Sequence, residues 1–138
     1  MKNVVVPIVD MGSVQYKMPR IKIRHYLNLL EMERNGEKIG FLRFSVPIDS
    51  SKNRNIELDY VEIDEKYRGL GYGTQLIKAF MDKHKSCVWI SLWTSEELER
   101  KKGWKIYKRL GFKQLAYQRD YYATGVGTRL FVYKNKEK

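Results

Sequence analysis

The chain has 138 residues, 43% of them hydrophobic and 13% aromatic. That composition suits a single domain over 1–138 with a real core and excludes a disordered or fibrous protein. The formal net charge is +11, from 27 basic and 16 acidic side chains, and such a surface attracts polyanions: nucleic acid, acidic protein or a phosphorylated cofactor.

One cysteine, Cys87, allows no internal disulfide, and with two histidines, His25 and His84, no metal-ligand spacing arises, so no metal is expected. The start "MKNVVVPIVDMGS" carries an apolar run too short for a signal peptide or a membrane span, and Pro7 interrupts it. These features point to a cytoplasmic protein without membrane contact, with "VVVPIV" as an edge strand.

"RIKIRHYLNLLEMERNGEKIGFLRFSV" reads as two strands joined at Asn35-Gly36, a strong hairpin signal. Arg20, Lys22 and Arg24 alternate with Ile21 and Ile23, giving one basic and one buried face. Pro47 and the polar "DSSKNRN" end the second strand. In the next strand, "IELDYVEI", the alternation puts Glu57, Asp59, Val61 and Ile63 on one face and Leu58, Tyr60 and Glu62 on the other.

A glycine-rich turn follows, then a helix to about Lys85 with Leu76, Ile77, Phe80 and Met81 on its inner side. "CVWISLW" has no polar break and reads as a central strand holding a buried, inert Cys87. Thr94 and Glu97 have capping-box spacing and open a helix that runs to Leu110, with Gly111 as its natural stop. "FKQLAYQR" and "TRLFVYK" close the chain as two strands around the loop "DYYATGVG". The result is an α/β protein: a mixed, mostly antiparallel sheet of six to seven strands with two main helices packed on it.

"RGLGYGTQL" places Gly69, Gly71 and Gly73 at the mouth of a helix. The spacing is not the dinucleotide G-x-G-x-x-G, and the stretch follows several strands rather than the first. No Gly-Lys-Ser/Thr marks a Walker loop. Two readings stay open on the residues alone: a tight strand–helix turn, or bare amides that cradle an anion at the positive end of the helix dipole.

A second stretch, "GWKIYKRLGFKQL", puts Tyr107 on a helix ahead of Gly111 and Phe112. Together, the two stretches resemble the GNAT superfamily of N-acetyltransferases. Arg68, Gly71 and Gly73 match its Arg/Gln-x-x-Gly-x-Gly/Ala loop, and some forty residues later Tyr107, Gly111 and Phe112 match its Tyr-x-x-x-Gly-Phe helix exit. The resemblance spans roughly Arg20 to Lys134 and implies the fold and chemistry of that family.

The resemblance implies acetyl-CoA as co-substrate. Its pyrophosphate would sit on the amides of Arg68, Gly69, Leu70, Gly71, Tyr72, Gly73 and Thr74, and its pantetheine arm on the backbone of Val61 and Ile63, in a gap between splayed strands. Tyr107 matches the family's acid for the departing thiolate. Glu57, eleven residues before Arg68, matches the glutamate base of several protein-lysine acetyltransferases, with Asp59 and Glu62 as runners-up.

Two features depart from the family pattern. Arg100 and Gly103 stand where an asparagine and an alanine are common. Only "DMGSVQYKMP" is available for the two helices that usually wall the acceptor site, so the N-terminal helical region is reduced and the acceptor side open. The expected acceptor is a lysine or N-terminal amine of a protein with an acidic or nucleic-acid-associated surface, contacted by Tyr121 and Tyr122. A small amine such as a polyamine or aminoglycoside is the second reading, and a non-catalytic module binding CoA or nucleic acid the third.

Overall fold

The computed structural model describes residues 18–46, 55–95 and 103–136. Seven strands form one sheet in the order β1-β2-β3-β4-β5-β7-β6. They are β1 (Ile21–His25), β2 (Leu29–Arg34), β3 (Glu37–Ser45), β4 (Asn55–Ile63), β5 (Trp89–Ser95), β6 (Lys113–Ala123) and β7 (Val126–Lys134). Neighbours run antiparallel except β4 and β5, which are parallel. Helix α1 (Tyr72–Lys83) bridges β4 to β5, as a parallel pair requires, and α2 (Lys105–Arg109) precedes β6.

Both helices cover the same face. Phe80 of α1 meets Phe44 at 5.3 Å, and Tyr107 of α2 meets Phe131 at 5.8 Å between ring centres. Phe44, Leu58, Leu92 and Phe131 are successive neighbours across the ladder, so they share one face. Around them Leu30, Leu42, Leu76, Ile77, Ile90 and Leu92 are buried. Burying such side chains stabilises the fold by about 1.5–3 kcal/mol each.

The sequence-level strands need four corrections. The arm ahead of Asn35-Gly36 is two strands, not one, because the chain turns at Tyr26-Leu27-Asn28. Tyr26 N–H donates to the Leu29 carbonyl at 2.8 Å, and Leu27 is left 96% exposed at the tip. Consequently β1 lies against β2, where Arg24 pairs with Glu33 of β2; Glu31 of β2 pairs on its other side with Lys38 of β3, at 2.7 Å.

The face assignment in β4 also changes. Arg43 is opposite Tyr60 and Phe44 opposite Leu58, so Asp59 is an extra residue, a β-bulge. The bulge shifts the alternation by one. Ile56 and Leu58 are buried before it and Ile63 after it, and Glu57 therefore lies on the opposite face from Val61 and Ile63.

Thr94 does not open a helix. It sits inside β5 opposite Arg129, and its hydroxyl accepts from the Arg129 N–H at 3.2 Å. Tyr121 and Tyr122 belong to β6 rather than to a loop; the hairpin turns only at Thr124-Gly125, between the paired Ala123 and Val126. "VVVPIV", most of "DMGSVQYKMP", Pro47 with "DSSKNRN", Glu97 and Arg100 lie outside the described residues.

Candidate active site

The β4–β5 ladder runs from Asn55–Trp89 to Leu58–Leu92 and stops there, although β4 continues to Ile63 and β5 to Ser95. The strands part at the bulge. The fork opens a cleft of about 580 Å³ walled by Asp59 through Ile63 on β4, Trp93 through Ser95 on β5, Gly103 in the turn before α2, and Ile106 and Tyr107 from α2. A second cavity of about 440 Å³ shares Val61, Ile63, Arg68, Gly73 and Ile106 with the first, so the two are continuous. It adds Gly69, Gly71, Tyr72 and Thr74 on one side and Arg109 on the other.

The glycine loop is shaped by conformation as well as by space. Gly69 and Gly71 hold φ of +77° and +88°, a region that suits glycine. A Cβ built on either would meet no atom within 4 Å, so bare backbone borders open space. Gly71 caps α1, and the first α-helical ring closes from Gln75 N–H to the Gly71 carbonyl at 3.1 Å. The amides of Tyr72, Gly73 and Thr74 come before that ring and are the helix's orphan donors, at its positive end. Arg68's own amide donates to the Glu65 carbonyl at 3.2 Å, and its Nε to the Ile63 carbonyl at 2.7 Å. Leu70 is 62% exposed and does not line the cleft.

Tyr107 lines the first cleft and also packs, edge-on to Phe112 at 5.7 Å and tilted against Phe131. The core reading and the site reading of this residue therefore coexist. Asp59 lines the cleft and accepts a hydrogen bond from the Ser45 hydroxyl at 3.1 Å. Glu62 also lines it and lies 4.0 Å from Arg68. Glu57 stands outside the lining, two residues before the fork. Partial burial first, and the Asp59 charge second, push its carboxyl above the ordinary range. The trench thus has polarity: Arg109 and the α1 N-terminus lie at one end and Asp59 at the other, while Glu62 is paired with Arg68.

Sequence reasoning missed Trp93, Ile106 and Arg109. Gly103, Ile106 and Tyr107 have i, i+3, i+4 spacing, which places Ile106 on the Tyr107 face and was there to be read. Trp93 carried no such signal, because its place follows from where the ladder stops.

A forked sheet with an amide-lined loop at the mouth of a helix is the arrangement that the resemblance at Arg68, Gly71, Gly73 and Tyr107 implies. The model of the Acetyltransferase (GNAT) family matches residues 10–112, and the chain belongs to that family. No match exists among curated proteins. The ribosomal-protein-S18-alanine N-acetyltransferase of Escherichia coli superposes with a TM-score of 0.68 at 18% identity, covering 80% of this chain and 70% of that one. The yncA protein of Salmonella typhimurium, solved with its cofactor acetyl-CoA, gives 0.68 at 16%, covering 80% and 65%. Arabidopsis thaliana NAA60, in complex with a bisubstrate analogue, gives 0.60 at 16%, covering 78% and 75%.

Proposed function

We propose that the chain transfers an acetyl group from acetyl-CoA to a primary amine, a lysine or N-terminus of a protein. The observation that carries this reading is the single trench from the glycine loop to Tyr107 along the half of β4 that does not pair with β5. Its residues fit the co-substrate: open space beside Gly69 and Gly71 admits phosphate, and the amides from Gly69 to Thr74 supply donors. The backbone of Val61 and Ile63, beyond the last β5 pair, is the edge for an extended pantetheine arm. Acetyl-CoA, when bound, supplies an activated thioester.

The chain's own groups manage the protons. Tyr107 is the acid for the thiolate, since a phenol stays protonated at neutral pH. The amine's proton goes to the carboxylate pair Glu57 and Asp59. Asp59 is the member in the cleft, and Glu57 is the member held above the usual carboxylate range, which suits a base. Among the described residues, the turn at Tyr26-Leu27-Asn28 leaves no helix between β1 and β2, which suits a projecting tail as acceptor. The net charge of +11 favours a partner with an acidic or nucleic-acid-associated surface, by speeding encounter. The Escherichia coli neighbour, by name an acetyltransferase of a ribosomal-protein alanine, supports a protein acceptor.

The test is incubation with labelled acetyl-CoA and cell-lysate proteins, followed by mass spectrometry, beside a panel of polyamines and aminoglycosides. The reading expects label on protein amines, in a reaction that slows as salt rises through the range of strong screening. Efficient, salt-insensitive transfer to the small amines with no labelled protein gives the site to a small-amine acetyltransferase. CoA binding without any transfer makes the chain a binding module.

A further inference from the structure

The glycine loop is held at both ends by arginines. Arg68 fastens the end nearest β4 to the Ile63 carbonyl. At the other end, Arg34, the last residue of β2, donates from Nε to the Tyr72 hydroxyl at 3.1 Å. Its guanidinium also lies 5.1 Å from the centre of the Tyr67 ring, and Tyr67 meets Tyr72 edge-on at 6.4 Å. Tyr72 is 8% exposed and is the first residue of α1; Tyr67 ends the 3₁₀ turn before the loop. Both tyrosines line the cavity that the glycines open. The assembly therefore brackets the loop between Tyr67 and Tyr72 from a strand two places away in the sheet.

Such a bracket has a physical purpose. Gly69 and Gly71 have more conformations to lose than any other residue type, so an unheld loop would have to be ordered when a ligand binds. Holding its ends beforehand removes part of that ordering from the binding step. We propose that Arg34 is a positioning residue of the phosphate loop, acting through the hydroxyl of Tyr72 and the ring of Tyr67. The inference rests on the acetyl-CoA reading of the site. Arg34 touches the two tyrosines that bracket the loop, so its effect falls on the phosphate end of the ligand, while the pantetheine arm is read on the backbone of Val61 and Ile63.

The experiment is titration of CoA into the full chain and its Arg34→Met, Tyr72→Phe and double variants, with thermal melts to verify folding. Pantetheine, which lacks the phosphates, is measured in parallel by ligand-observed magnetic resonance. Tyr72→Phe is nearly isosteric and keeps the Arg34 charge, so a loss that it shares with Arg34→Met, without a further loss in the double variant, reports positioning rather than attraction at a distance. Each single variant should bind CoA roughly 3- to 30-fold more weakly, the range for losing one charge-assisted hydrogen bond in part. The double variant should be no weaker than the weaker single, because both remove one contact, and pantetheine affinity should not change. Wild-type affinity in Tyr72→Phe, or equal losses for CoA and pantetheine, overturns the proposal. Absence of CoA binding by the unaltered chain instead overturns the functional reading beneath it.

Discussion

Gly73→Ala should make the free protein more stable and its CoA complex weaker, and the two effects come from the same methyl group. Gly73 is the second residue of α1. Its backbone is ordinary helix, and a Cβ placed on it meets only Ile63 Cγ1, at 3.8 Å, a normal contact. Alanine is favoured over glycine by about 0.8–1.0 kcal/mol in a helix interior, so about 0.5 kcal/mol is reasonable within the first turn. For a domain of this size that corresponds to a rise in Tm of roughly 1–3 °C. Yet Gly73 is the loop glycine that lines both cavities, and an added methyl takes room beside the amides on which the phosphates are proposed to sit. A loss of about 10- to 100-fold in CoA affinity, or about 1.4–2.7 kcal/mol, is expected. Melts followed by circular dichroism, with and without CoA, read both effects, since a ligand raises Tm according to its affinity. The free variant should melt higher than wild type and gain less from CoA. A variant that gains as much as wild type would refute the placement of phosphate at this loop. Gly71→Ala is the contrasting case: at φ +88° a side chain costs about 1–2 kcal/mol, so the free protein should melt lower.

Tyr107→Phe should leave CoA affinity unchanged and slow turnover by roughly 10- to 1000-fold, a span reaching the usual effect of losing a general acid; a wild-type rate would reduce Tyr107 to packing. Glu57→Gln should depress the transfer rate most at low pH and recover partly as pH rises, and an unchanged pH–rate profile would pass the role to Asp59 or water. The same substitution has a signature in stability. The raised carboxyl of Glu57 favours its protonated form, so its contribution is full below the ordinary carboxylate range and lost as pH rises through the shifted value. Glu57→Gln should therefore melt above wild type at pH 7, with the gap closing in acid. Gly40→Ala puts a Cβ 2.5 Å from the Glu62 carbonyl oxygen, so β3 and β4 must move; a loss of about 1–3 kcal/mol in denaturant unfolding is expected.

How much was legible depended on whether a signal was local. Asn35-Gly36 announced its turn through residues that accept left-handed backbone, and both have it, at φ 50° and 83°. The glycine turn into α1 and the helix exit at Gly111 were legible for the same reason: Gly71 at φ 88° and Gly111 at φ 98° hold backbone that suits glycine. The turn at Tyr26-Leu27-Asn28 lacks glycine and proline, so the apolar residues on both sides read as one strand. The Asp59 bulge left only a faint mark, the adjacent apolar Tyr60 and Val61 where "IELDYVEI" changes phase; the register against Arg43 and Phe44 identifies the extra residue. That single shift sets Glu57 apart from Val61 and Ile63 and begins the fork. Thr94 offered a hydroxyl and a glutamate three residues on, which mimics a cap, but the hydroxyl is used across the sheet by Arg129. Such long-range partners leave no trace in a local pattern.

The central claim is that acetyl-CoA lies along the β4–β5 fork with its phosphates on the glycine loop. The most direct measurement is residue-resolved amide chemical shifts during a titration with acetyl-CoA. Saturable shifts should be largest at Gly69, Gly71, Tyr72, Gly73 and Thr74, extend to Val61, Ile63 and Tyr107, and leave the β1–β2 hairpin tip at Leu27 unmoved. No saturable response, or one centred away from the loop and the fork, would contradict the account.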